Sequence, residues 1–179
     1  MATAPIPLDP ATRYNAGARG FHAVIAVLVI ANLALGLLHE PLEDTIQLIP
    51  LHKSIGLTVL FLSIARLAWR LAWRTPEYAS PLGRWTTLGS RAIHWSLYAL
   101  MVVMPLTGWI FSSAGKRPLA WFGIPFPKLG VTKADPIVGL SHESHEVLGW
   151  VMLAMVIVHV LAALRHHYVL KDGVLRRMW

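Results

Sequence analysis

The residues with most chemistry to offer are the histidines, nine in a chain of 179. His145 and His159 lie fourteen positions apart in an apolar stretch. On an α-helix fourteen residues span about 21 Å and nearly four whole turns. The two rings therefore leave one helix face at two well-separated depths. His52 opens a second apolar stretch and His22 a third. In an up-and-down bundle His52 comes level with His145, and His22 with His159. A pair of imidazoles facing across a bundle core can ligate a haem iron axially. Neutral imidazole is also cheaper to bury than a carboxylate or an ammonium, and ligation satisfies it.

Neighbouring residues fit that chemistry. Gly56 follows His52 by four positions, and Gly149 follows His145 by four. Each lies one turn deeper on its histidine's face, where a flat macrocycle needs room. Glycine is also simply common in membrane helices, which is a second explanation. Arg66 follows His52 by fourteen and faces the same way at the inner level. It suits a haem propionate or a quinone carbonyl, or else it is an interfacial cation that snorkels. Lys53 is a propionate candidate at the outer level. His94, at inner depth, is an alternative to His22. His142 reads as a loop residue, and His39, His166 and His167 as interfacial. Zinc takes about four ligands, typically with Cys or carboxylate among them. The chain has no Cys, and these pairs are too spread for a zinc site.

The elements that must hold these residues are membrane helices. Hydrophobic residues make up 55% of the chain and charged residues 14%, against about 25% charged in a soluble domain. Mean hydropathy is +0.54. A bilayer core needs about 20 apolar residues per helix. Four stretches qualify: 21–38, 51–73, 92–111 and 147–164. The first is not a cleavable signal peptide, because acidic residues Glu40, Glu43 and Asp44 follow it and no small-residue cleavage site does. The connection over 74–91 carries Arg74, Arg84 and Arg91, and the third loop, about 112–144, is rich in Gly and Pro.

Net charge is +7. The basic residues flank apolar blocks, so they speak for orientation in a membrane rather than for a nucleic acid partner. Of sixteen Lys and Arg residues, Lys53, Lys116, Arg117, Lys128 and Lys133 fall on one side and the other eleven on the side of the termini. The positive-inside rule then puts both termini in the cytoplasm. The expected fold is all-α, an integral membrane four-helix bundle. Residues 1–20 form a cytoplasmic N-terminal extension, 21–170 the membrane domain and 171–179 a cytoplasmic tail. Absence of Cys excludes disulfides, thiolate-ligated iron–sulfur clusters and covalent c-type haem. No P-loop, dinucleotide fingerprint or Ser-His-Asp arrangement is visible.

These residues together resemble the bacterial cytochrome b561 family, four-span di-haem cytochromes of the inner membrane. His22 matches the ligand position of the first span. His52-Lys53-Ser54-Ile55-Gly56 matches the second, with Arg66 and Arg70 at its end. His94-Trp95, Pro105-Leu106-Thr107-Gly108 and Trp121-Phe122-Gly123 also look like family positions. The most specific part is His145-Glu146 followed by His159, His166-His167-Tyr168 and Lys171-Asp172. Ala23 departs from the Trp that relatives often carry there.

The resemblance implies two haem b groups, ligated by His22 with His159 and by His52 with His145. It implies single-electron transfer across the bacterial inner membrane, with ubiquinone as lipid-phase partner. Superoxide oxidation with quinone as acceptor is an activity of the family. The outer loop, with Lys116, Arg117, Lys128 and Lys133 against Asp135 and Glu143, suits a small anionic donor. A periplasmic redox partner is the other donor class, with the chain as the membrane-anchor cytochrome of a dehydrogenase or hydrogenase. A haem-free transporter or metal-handling protein would explain the histidines but not their two-level pairing.

Overall fold

The structure is a computed structural model that describes residues 13–73, 76 and 83–178. It has four long helices: α1 (Ala16–Leu38), α2 (Ile49–Ala72), α3 (Arg84–Ser113) and α4 (Pro136–Arg165). Each start has a local reason. The side chain of Asn15 accepts the N–H of Ala18 at 2.9 Å and so caps α1. Pro50 and Pro136 stand in the first turns of α2 and α4, where a missing N–H costs nothing.

All four helices are long and apolar enough to cross a membrane. The two most apolar, α1 and α4, with mean hydropathies of 2.4 and 2.5, are also the least buried. Val27 and Leu161 point outward, 67% and 59% exposed. Water would penalise that arrangement, whereas hydrocarbon does not. The tight backbone packing runs from α1 to α2, from α2 to α3 and from α3 to α4. Helix α4 meets α1 and α2 across a looser seam.

Helices α3 and α4 start earlier than the apolar stretches do. Arg84 and Arg91 belong to α3 rather than to a connection, and His142 belongs to α4 rather than to a loop. Hydropathy marks where lipid begins; backbone hydrogen bonding carries a helix past that point into the polar interface. Arg74 and most of 1–20 lie outside the described residues. Residues 16–20 are already the first turns of α1.

Between α3 and α4 a two-stranded antiparallel ribbon forms, β1 (Ala120–Trp121) and β2 (Ile124–Pro125). Its turn residues Phe122 and Gly123 have φ of 49° and 86°, the sign required at both positions of a type I′ turn. The ribbon is fastened to α2. The Trp121 indole donates to Thr58 Oγ1 and the Phe122 N–H to Ser54 Oγ, both at 3.0 Å. Trp109 donates to the Pro127 carbonyl at 3.0 Å. We call this the hairpin end of the bundle and the opposite one the termini end, because Tyr14 N–H donates there to the Arg177 carbonyl at 3.1 Å.

The core lies between these ends. Ile25 and Val29 of α1, Ile55 and Val59 of α2, Tyr98 and Met101 of α3 and Met152 of α4 form one apolar cluster. Met152 is midway between His145 and His159 in the chain. The cluster therefore separates the two histidine levels with a layer that excludes water.

Candidate functional site

The seam between α4 and the α1–α2 pair holds the histidines. At the hairpin end the rings of His52 and His145 face each other with centroids 6.1 Å apart. At the termini end His22 and His159 stand at 6.3 Å. Both pairs are largely buried. A metal held in line between two imidazole nitrogens, with bonds of about 2 Å, sets the ring centroids about 6 Å apart. His94 also approaches His159, at 5.4 Å. That is too short for a metal in line between them. The His94 Nδ1 lies 3.3 Å from Ser90 Oγ on its own helix.

The hairpin-end rings are oriented by backbone. His52 Nδ1–H donates to the Asn32 carbonyl at 3.1 Å. His145 Nδ1–H donates to the Met104 carbonyl at 3.0 Å, with Thr107 Oγ1 at 3.1 Å as a second acceptor. Thr107 in turn donates its hydroxyl to the same carbonyl at 2.7 Å. A carbonyl only accepts, so the proton belongs on Nδ1 and the Nε2 lone pair is left for a metal. Two glycines make this possible. A Cβ at Gly36 would lie 3.2 Å from His52 Cε1, and one at Gly108 would lie 3.0 Å from His145 Cε1. The neighbouring helix backbones therefore approach so closely that a side chain there would have to push the rings aside by a few tenths of an ångström.

The glycines singled out by spacing have different neighbours. A Cβ on Gly56 would meet the Asn32 amide at 3.5 Å, and one on Gly149 the Met104 methyl at 3.5 Å. Both are ordinary contacts. Gly36 was not visible as a site residue from sequence. Its role comes from the α1–α2 approach, not from any spacing along one helix.

Arg66 lies at the termini end, its guanidinium over the Tyr98 ring at 5.4 Å. Its positive charge acts on both His22 and His159. At the hairpin end Lys53 feels the positive charges of Arg117 and Lys128. Asp135 lies beside them in sequence, outside the spans. Two hydrogen bonds from Thr132 hold its carboxyl below the usual carboxylate range, so it stays ionised. The remaining histidines take other roles. His142 packs on Phe111 and lies 3.8 Å from Glu146, His39 binds the Gly36 carbonyl, and His166 meets Asp172.

The donor set fits a tetrapyrrole. Among the described residues no three His, Cys, Asp or Glu side chains converge as a metal cluster. Each level offers one facing pair of imidazoles, with His94 beside the pair at the termini end, which suffices only for a metal that arrives with its own in-plane ligands. Two buried polar atoms of the interior, Asn32 Oδ1 and Ser63 Oγ, have no partner among the described residues. Such atoms are rare in a finished core and are expected where a bound group completes it.

Comparison with known proteins agrees. The family profile described as "Prokaryotic cytochrome b561" matches residues 13–179. "Cytochrome b561 homolog 2" of Escherichia coli (strain K12) is 30% identical, over 93% of this chain and 90% of that protein. "Probable superoxide oxidase CybB" of Yersinia pestis is 28% identical over 93% of this chain and 95% of its own. "Cytochrome b562" of Cereibacter sphaeroides is 28% identical over 88% and 89%. The family carries haem b. The chain belongs to the prokaryotic cytochrome b561 family, membrane b-type cytochromes that transfer electrons, and is a multi-pass protein of the bacterial inner membrane.

Proposed function

We propose that the chain holds two haem b groups and relays electrons from superoxide at the hairpin end to ubiquinone. The observation that carries this reading is the pair of imidazole pairs, at 6.1 and 6.3 Å, one at each end of the bundle. His52 with His145 and His22 with His159 would be the axial ligands, as their spacing supports. Gly56 and Gly149 would line the macrocycles, and Arg66 would pair with a propionate or hold a quinone carbonyl. The haem irons supply reversible one-electron chemistry. The residues do the rest. Lys116, Arg117, Lys128 and Lys133, joined by Lys53, gather an anion at the hairpin end. The apolar layer of Ile25, Val59 and Met152 keeps water and protons from short-circuiting the two levels.

The balance is simple. Two superoxide ions each give up one electron and leave as dioxygen. The two electrons, with two protons, convert one quinone to quinol. The charge distribution supports a cytoplasmic termini end, with eleven of sixteen cations there. The name of the Yersinia relative supports superoxide as donor.

The test is a haem count by pyridine haemochrome, then superoxide-driven reduction followed by its spectrum. Two haems per chain are expected. Reversing the charge of Lys116, Arg117, Lys128 and Lys133 should slow reduction by superoxide on the order of tenfold or more at low salt and flatten its ionic-strength dependence. A colourless protein, purified from cells with ample haem, sinks the relay. An unchanged rate in the reversed variant sinks the steering.

A further inference from the structure

The termini end carries a second feature, next to the His22–His159 pair. Arg66, Arg70, Trp69, Tyr98, Asn15 and Met178 border a pocket there. Arg66 and Arg70 both lie over the Tyr98 ring, at 5.4 and 5.5 Å, and Arg70 also lies over Trp95 at 5.6 Å. Neither guanidinium forms an ion pair with a carboxylate among the described residues. Arg66 also hydrogen-bonds the Tyr98 side chain, and a guanidinium has five N–H donors, so both arginines keep donors for a further acceptor. Trp69 and Trp73 stack at 5.4 Å along the same side. The lining contains no acidic residue.

One wall of the pocket is the chain's own C-terminus. Helix α4 runs out through a wide π-turn, His166–Leu170. The chain then reverses at Lys171 and Gly173, whose φ values are 52° and 76°. A lysine in the left-handed region is held there by its surroundings. The holding contacts are visible. His166 Nδ1 meets Asp172 Oδ2 at 2.5 Å, and Asp172 Oδ1 accepts the Val174 N–H at 3.1 Å. Arg177, only 5% exposed, donates to the Pro76 carbonyl and lies over the Tyr14 ring at 5.4 Å. These contacts press Met178 against the pocket.

We propose that this folded-back segment is a latched wall, with His166–Asp172 as the latch, over a pocket that takes a flat ring bearing carbonyl oxygens. Resting on the quinone reading above, we assign that ring as the quinone headgroup. Two cations with no carboxylate partner among the described residues suit two acceptor oxygens, and the indole and phenol rings of the lining suit contact with a conjugated ring. The site stands where electrons would leave the His22–His159 level, at a depth that a lipid-phase molecule can reach. A fixed wall would shut it, whereas a latch can open.

The test uses the full holoprotein in nanodiscs, reduced anaerobically and mixed with decylubiquinone. Asp172→Asn should expose the tail, so that trypsin cuts at Arg176 and Arg177 on the order of tenfold faster. Both Asp172→Asn and, as a variant that leaves the tail alone, Arg70→Gln should raise the KM for decylubiquinone several-fold. Haem content and reduction from the hairpin end should stay as in the wild type. If the wild type is not reoxidised at all, the quinone reading fails and the assignment with it. If the wild type reacts but neither variant changes KM, the quinone reading stands and the pocket is wrong. If KM holds while the variants lose co-purified phosphatidylglycerol, the pocket is a lipid headgroup site and the proposal is overturned.

Discussion

Replacing His22 by alanine is expected to cut the haem content from two per chain to one, while His94→Ala keeps both. The reason is geometric. His22 and His159 stand at 6.3 Å, a separation that admits a metal in line between their nitrogens. His94 is at 5.4 Å from His159, too short for that arrangement, with its Nδ1 against Ser90. Removing His22 leaves His159 as a one-sided ligand at the termini end and leaves the 6.1 Å pair at the hairpin end untouched. The loss should therefore be one haem, with the other keeping its spectrum. His52→Ala should remove the complementary one, and the double variant both. Pyridine haemochrome with reduced-minus-oxidised spectra reads all four proteins. The opposite pattern, one haem in His94→Ala and two in His22→Ala, would reassign the termini-end ligand.

Gly108→Val should cost the hairpin-end haem almost as completely as His145→Ala does. A Cβ at Gly108 comes to 3.0 Å from His145 Cε1 and 3.3 Å from Nδ1. Helix backbone cannot retreat, and a branched side chain adds a second clash, so the ring must turn. Turning it breaks the hydrogen bonds to Met104 and Thr107 and swings Nε2 away from His52. Loss of an outer-shell partner alone typically weakens metal binding by about 10–100-fold, and here ligand direction goes as well. Gly139→Ala is the internal control. Its methyl would meet nothing within 4 Å, and both haems should remain. Full haem content in Gly108→Val would show that the close approach does not position the ring.

The contrast between these glycines shows where sequence reasoning reaches and where it stops. Repeats along one helix were legible, because helical geometry is fixed. Fourteen residues between His145 and His159 gave two depths on one face, and the structure brings each ring opposite the expected neighbour. Four apolar runs gave four helices, because the membrane demands length and apolarity together. What crosses from one helix to another was hidden. Gly36 and Gly108 matter through the rotation of α1 and α3 against their neighbours, which no spacing encodes. The acceptors for His52 and His145 are main-chain carbonyls of Asn32 and Met104, and a carbonyl leaves no mark in residue type. Hydropathy makes the polar beginnings of α3 and α4 look like loops for a similar reason, since Arg84 and His142 mark the edge of lipid and not the end of a helix.

The two histidine pairs are not equivalent, and their difference would give the proposed relay a slope. His52 and His145 each share an Nδ1–H with a carbonyl. Among the described residues neither the His22 ring nor the His159 ring has a hydrogen-bond partner. Sharing that proton makes Nε2 a stronger electron donor and favours the oxidised metal. Arg66, beside His22 and His159, is more buried than the Lys53 near His52 and so favours the reduced one more strongly. Both effects lower the midpoint potential at the hairpin end relative to the termini end. A potentiometric titration should resolve two waves, with the lower one missing in His145→Ala; a single wave would mean that the surroundings cancel. With the termini end cytoplasmic, as proposed, an electron moving toward it would climb the membrane voltage of a respiring cell, at about 2.3 kcal/mol per 100 mV for a full crossing. The asymmetry of hydrogen bonds and charge would then be the bias that keeps current flowing inward when the membrane is energised.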